Sequence, residues 1–311
     1  MSDRKRINRR EFFKKGVGLG AAMVGTSLLP HRQQALADEV ARGPFDLVAV
    51  RNGEAADMFE KGIQALGGMQ SFIRKGQTVV VKPNIGWARE PETGADTNPA
   101  LVKRIVEHCY QAGAKKVFVF DNTCHNWKKC YTLSQIEASA RDAGATVAPG
   151  NDERYYEEVR IAGAKTLKKT KVHELILDSD VLINVPVLKH HSGSGLTIAM
   201  KNLMGVVWDR GYYHLHGLQE CIADFCLYRK PDLNIVDAYR VTMDNGPQRA
   251  RPEDISLKKS LLISKDIVAA DAAAAKIFGA EPESIDHIRL GYEKNIGNIK
   301  LSELNIKRIA L

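Results

Sequence analysis

The sequence predicts an α/β fold: a layered, mostly parallel sheet flanked by helices, with a small β-rich insertion near residues 150–172. Three observations carry that expectation. Short continuous apolar runs alternate with longer helix-like segments, as buried parallel strands alternate with crossover helices. The runs stop abruptly at polar or proline-containing pairs, Pro83-Asn84 and Asp121-Asn122. The 311 residues are 44% hydrophobic and 26% charged, with no internal repeat or low-complexity tract, which suits a substantial core and excludes fibrous or solenoid architectures.

The elements follow in order. Residues 46–50 read as a short strand and Ala55–Ala65 as a helix. Residues 78–82 (Thr-Val-Val-Val-Lys) form a buried strand. Asn98 and Pro99 open a helix that closes before Gly113, with proline at the first turn where its missing N–H costs nothing. Residues 116–120 are another strand, 133–143 a helix ended by Gly144, and 146–148 a further strand. The charged stretch 155–171 reads as a hairpin or inserted ribbon, and 173–177 as a helical turn. Val181–Val185 is strongly apolar, 186–195 is a Gly/Ser-flanked loop, and 196–207 and 215–228 are helix-like. Strands at 233–237 and 261–264 and an alanine-rich helix, Ile267–Phe278, complete the series.

Residues 1–37 read as a Tat signal peptide, followed by a single α/β domain over 38–311. Arg9-Arg10-Glu11-Phe12-Phe13-Lys14 supplies the twin-arginine order, the uncharged run 16–29 is too short to span a bilayer, and Ala35-Leu36-Ala37 supplies the cleavage site. The expected location is the periplasm, with the Tat translocase as a partner during export and no stable membrane span after cleavage. The leader also explains the charge. The formal net charge is +8, but residues 1–37 hold eight basic and two acidic residues, which leaves 37 basic against 35 acidic beyond them. A domain at +2 calls for no nucleic-acid partner.

The five cysteines, Cys109, Cys124, Cys130, Cys221 and Cys226, contain no Cys-x-x-Cys pair, so no intrinsic iron–sulfur motif, zinc ribbon or thioredoxin-like site is written here. A bridge between Cys124 and Cys130 suits an oxidising compartment, while Cys221 and Cys226 read as small buried hydrophobes. Asp121, Cys124 and His125 gather atoms able to hold a divalent metal just after a strand, against the plainer reading of a polar loop. His214 and His216 would share a face on a strand but diverge on a helix.

In α/β sheets ligands collect beyond the carboxyl ends of strands, where Asn84, Asp121, Lys189 and Asp237 fall. The expected catalytic groups are Lys189, His191 and Lys201: two ammonium groups to hold a carboxylate or phosphate and an imidazole to move a proton near neutral pH. Lys82, Asn84, Thr197, Asn202 and Asp237 are the expected ligand-binding residues, and backbone amides of the loop and the following helix are expected to favour the anion. The plain alternative is a solvated loop with exposed lysines.

Several strings carry a family resemblance. Ile183-Asn-Val-Pro-Val-Leu-Lys-His-His191, then Thr197, then Lys201-Asn-Leu-Met-Gly205 resembles the central signature of the domain-of-unknown-function family number 362. Val81-Lys82-Pro83-Asn84, Asn234-Ile-Val-Asp237, Asn245-Gly246-Pro247 and Asp266 through Asp271 extend the resemblance along the chain. It implies an α/β fold, export for some members and an iron–sulfur association, which in many members rests on a ferredoxin-like segment not found in these residues. Val187 stands where the family usually has Lys, and His190 where it has Thr. The Lys/His pair is also similar to that of lactate-racemase-like enzymes. The resulting expectation is an exported enzyme acting on a small anionic substrate. The alternative is a metal- or iron–sulfur-linked accessory protein serving a redox partner, without turnover of its own.

Overall fold

A computed structural model describes residues 45–311; the expected leader at 1–37 lies outside the described residues. One ten-stranded sheet organises the chain. Its strands are β1 (Leu47–Arg51), β2 (Thr78–Pro83), β3 (Lys116–Val119), β4 (Thr146–Val147), β7 (Val181–Val185), β8 (Val187–His191), β9 (Gly195–Thr197), β10 (Leu233–Thr242), β11 (Ile255–Ser264) and β12 (Ile306–Ala310). The order across the sheet is β12-β1-β11-β10-β7-β2-β3-β4. The pairs β2–β3, β3–β4, β2–β7, β7–β10, β8–β10 and β1–β12 are parallel, and only those made by β11 and β9 are antiparallel. The sheet is therefore mixed but mostly parallel. The charged insertion is the separate antiparallel ribbon of β5 (Tyr156–Arg160) and β6 (Lys169–His173).

The continuous apolar runs are strands covered on both faces. Val79, Val81, Ile183, Ile235 and Ile263 pack with the helices Ala55–Ala65 and Pro99–Gln111 on one side. Their neighbours Val80, Leu182, Val236 and Leu262 face the other, against Leu218–Tyr228 and Ile267–Phe278. Alternate residues point to opposite faces, so a strand buried on both needs apolar side chains throughout. Local signals set the helix ends. The Asn98 side chain accepts from the Ala100 and Leu101 amides, Asp266 accepts from Val268 and Ala269, and Gly279 adopts a φ of 96° after the helix it ends.

Pro186 interrupts what would be one strand. β7 and β8 lie in succession along the ten residues of β10, and the Pro186 carbonyl accepts from the Asp237 amide at 2.8 Å. The expected loop 186–195 is thus a strand, a turn and the start of β9. The expected helix 196–207 contracts to Ala199–Asn202 and a 3-10 turn, because residues up to Thr197 pair back onto β8. The expected helix 133–143 starts only at Ile136, after Gln135 breaks the run at φ 59°, and Leu133 ends a separate helix, Trp127–Leu133. Gly217, at φ 111°, likewise divides Gly211–His216 from Leu218–Tyr228.

Candidate functional site

Beyond the carboxyl ends of β2 and β3, and beside β8 and β9, lies a cleft of about 730 Å³. Lys82, Asn84, Asp121, Cys124, Lys189, His191, Thr197, Lys201 and Asn202 line it, so the structure gathers most of the expected residues from four separate chain segments. Gly205 and the segment from Asp244 to Arg249 add further wall.

Counting hydrogen bonds separates scaffold from ligand-facing groups. The buried Lys82 ammonium donates to the Pro83 carbonyl at 2.7 Å and to Asn202 Oδ1 at 2.9 Å, and pairs with Asp121 Oδ1 at 2.9 Å. Two of its three donors are thus hydrogen-bonded within the protein and its charge is paired with Asp121. Burial pushes Lys82 down from its ordinary pKa while Asp121 pulls it back up. Asn202 is equally committed: its Oδ1 also accepts from Asn84 Nδ2, and its Nδ2 donates to the Lys82 carbonyl and to Asn184 Oδ1. Lys82 and Asn202, expected to bind ligand, are instead the floor that holds the strand ends together. Gly205 fits against that floor because a Cβ there would lie 1.8 Å from Asp121 Oδ1.

Lys189 is buried at the end of β8. Its ammonium donates to Asn84 Oδ1 at 2.9 Å and to the Ala95 carbonyl, which leaves one donor for the cleft. Burial lowers its pKa. Lys201, half-buried, has no hydrogen-bond or ion-pair partner among the described residues. Burial, with the neighbouring Lys189 ammonium, lowers it to about 8. Thr197 is buried beside it, and its hydroxyl has no partner among the described residues.

His191 differs from expectation. Its Nδ1 accepts from the Gly193 and Ser194 amides at 3.1 and 3.2 Å, which places the ring proton on Nε2. Burial and then the charges of Lys201 and Lys189 lower its pKa to about 3, so the ring is neutral near pH 7 and acts as a hydrogen-bond donor.

The backbone amides expected to favour an anion are also engaged. Two of the turn amides serve His191, and the Ala199 and Met200 amides donate to the buried carboxylate of Asp271 at 2.6 and 3.0 Å. Burial raises the Asp271 pKa to about 8. Asp237 is not in the cleft wall: its carboxylate accepts from the Asn98 and Tyr239 amides and secures the start of the helix Pro99–Gln111. Burial raises it to about 6.

The expected metal set is not brought together. Asp121 is committed to Lys82 and to the Ile85 amide, and the His125 ring lies edge-on to Trp87 with centroids 4.7 Å apart. Cys124 faces Arg210, with Sγ 3.1 Å from Nη1. Among the described residues no group of three or more His, Cys, Asp or Glu side chains is placed to hold a metal ion. All five cysteines are free, and Cys130 is buried while Cys124 is exposed, so the anticipated bridge is absent. His214 and His216 diverge on their helix: His214 lines the cleft, whereas His216 stacks on Tyr212 at 3.9 Å.

Sequence reasoning missed Arg210 and Asp96. Arg210 donates to the Asn122 carbonyl at 2.8 Å and the Thr123 carbonyl at 2.5 Å, tying the loop after β3 to the cleft rim. Nothing in its local sequence marks it. Asp96 is buried, with Oδ1 accepting from the Trp87 amide. Its position in the polar run just before the Asn98 cap was the available signal.

The described residues contain no helix long and apolar enough to cross a membrane. The chain is 25% identical over 232 residues to a thylakoid-associated protein of Synechocystis sp., covering 72% of this chain and 70% of that one. Two solved structures align with part of this chain at low identity. A Thermotoga maritima protein matches at 10% identity and a TM-score of 0.45, covering 76% of this chain and 59% of its own. The lactate racemase apoprotein of Thermoanaerobacterium thermosaccharolyticum matches at 12% and 0.44, covering 81% and 57%. The chain thus spans less than two thirds of either solved protein. The family model for the domain of unknown function DUF362 matches residues 79–276, from β2 through the alanine-rich helix and across the whole cleft floor, and the chain belongs to that family.

Proposed function

We propose that this protein is an enzyme acting on a small molecule that bears a carboxylate or phosphate, and that the cleft is its site. The observation that carries the reading is Lys201, a half-buried ammonium with no protein partner among the described residues, lining a cleft with Lys189 and the unpartnered hydroxyl of Thr197. A charge held this way costs stability unless something pairs it, and an anionic ligand would do so. In this reading Lys201 anchors the anionic group, and the Thr197 hydroxyl and the His191 Nε2–H orient it. Lys189, whose remaining donor is open to the cleft, moves the proton. The lowered lysine pKa values suit this division, since an amine that titrates near operating pH both binds anions and exchanges protons.

Calorimetric titration with inorganic phosphate and with small mono- and dicarboxylates tests the site. Binding by the native protein and at least tenfold weaker binding by Lys201→Met are expected. Equal affinity in the two proteins, or no binding at millimolar concentrations, sinks the reading. The export reading rests on the three-part order of residues 1–37; replacing both Arg9 and Arg10 with Lys should retain the protein in the cytoplasm.

A further inference from the structure

The cleft wall includes a thiol that the reading above leaves idle. Cys124, in the loop after β3, is exposed and lines the cleft, whereas Cys109, Cys130, Cys221 and Cys226 are buried. Its amide donates to the Gly86 carbonyl at 2.9 Å, which holds the loop against the segment after β2. A Cβ at Gly86 would lie 3.9 Å from Cys124 Sγ and 3.4 Å from Asn84 Oδ1, the atom that accepts from the Lys189 ammonium. Sulfur and amide oxygen therefore face the same point above a bare stretch of backbone. Arg210 Nη1 lies 3.1 Å from Sγ. The guanidinium also donates to the Asn122 and Thr123 carbonyls, and no carboxylate is paired with it among the described residues. A thiol attacks as its thiolate, which a cation in contact with the sulfur favours, and exposure gives reagents access to it.

A second group in the same cleft calls for a ligand. Thr197 is 3% exposed and lines the cleft, with its hydroxyl unpartnered among the described residues. A buried hydroxyl in that state costs free energy that a bound polar group would recover. The Lys201 ammonium, also unpaired among the described residues, gives that group a negative sign.

We propose that Cys124 is a site of thiol exchange with small anionic disulfides, and that the mixed disulfide formed there closes the cleft. The Cys124 thiolate attacks one sulfur of the incoming disulfide. A bond forms between Sγ and that sulfur, the original S–S bond breaks, and the other half departs as a thiolate. The proton lost by Cys124 passes through water to the departing thiolate. Cys124 is oxidised and the small disulfide is reduced, so the step needs no other oxidant and no other catalytic group. The preference for anions comes from Arg210 and Lys201, which draw a carboxylate-bearing reagent towards the sulfur. Closure of the cleft rests on the anion-binding reading, whereas the exchange itself does not.

Dithiobis-nitrobenzoate, a disulfide with two carboxylates, and the neutral dithiodipyridine are each mixed with the native protein, and release of the coloured thiol is followed. A single fast phase that Cys124→Ser removes is expected. The rate ratio of anionic to neutral disulfide should be about tenfold higher for native protein than for the urea-unfolded chain, and should fall towards the unfolded value in Lys201→Met and Arg210→Gln. No fast thiol in the native protein, a fast phase that survives Cys124→Ser, or a ratio equal to that of the unfolded chain overturns the proposal. So does an unchanged ratio in whichever of the two charge variants folds.

Closure is read separately by calorimetry with inorganic phosphate at fixed pH. The nitrobenzoate adduct should lose phosphate binding and regain it on reduction with dithiothreitol. Equal affinity before and after modification overturns the closure. If phosphate binds neither form, the functional reading fails, while the exchange rates still judge Cys124.

Discussion

Lys82 and Asp121 stand at the ends of adjacent parallel strands with ammonium and carboxylate 2.9 Å apart, both buried, and Gly205 closes over them with no room for a side chain. An added methyl at position 205 would fall 2.7 Å from Lys82 Nζ as well as against Asp121. Gly205→Ala should force the pair apart and destabilise the protein by about 3 kcal/mol, the scale for disrupting a buried ion pair. Urea unfolding measures it, and native-like stability would show that the floor can yield.

Lys201→Met should lose anion binding and gain stability together. Removing an unpaired, half-buried charge in favour of a side chain of similar length relieves desolvation, and a rise of about 2 °C in melting temperature is expected for a domain of this size. A fall in melting temperature would mean that Lys201 contributes to folding more than to a ligand.

Anion affinity should be flat from pH 5 to pH 7 and decline above about pH 8. His191 has already lost its proton below that range, because burial holds it near 3, whereas Lys201 surrenders its charge near 8. Sulfate titrations at half-unit intervals check both limbs, since sulfate keeps the same charge across that range. A step near pH 6.5 would show that His191 titrates at an ordinary value and restore it as a base.

The link between Asp271 and Lys201 runs through the backbone. Asp271→Ala would strip the Ala199 and Met200 amides of their acceptor and loosen the short helix that carries Lys201. A loss of about 3 kcal/mol and weaker phosphate binding are expected from two buried donors left unsatisfied. Asp271→Asn keeps one acceptor and should recover part of both. Full affinity in the alanine variant would disconnect the two sites.

Much of the fold is legible in local residues. Ala55–Ala65, Val181–Val185 and Ile267–Phe278 occur within the bounds that periodicity, caps and terminal glycine assign, because those signals act between near neighbours in sequence. The stretch 186–207 is less legible. Its Gly/Ser composition suggests a loop and its apolar spacing a helix, yet pairing of Lys189 with Thr197 and of Asp237 with Val187 draws it into the sheet. The C-terminal strand β12 and the helix Asp286–Glu293 went unread for a similar reason, since short amphipathic segments gain their structure from what they pack against.

The sequence by itself determined the fold class, the strand ends where chemistry gathers and the identity of Lys189, His191, Thr197 and Lys201 as candidates. Tertiary structure decided which of them are paired and which are open to the cleft. Whether a lysine holds the floor, as Lys82 does, or lines the cleft without a protein partner, as Lys201 does among the described residues, depends on which donors and acceptors lie within about 3 Å of it. Those partners come from segments far apart in the chain: Asn202 lies 120 residues from Lys82, and Ala95 lies 94 from Lys189. Local sequence records which groups are available, while burial and pairing across such separations fix their charge and their freedom to act.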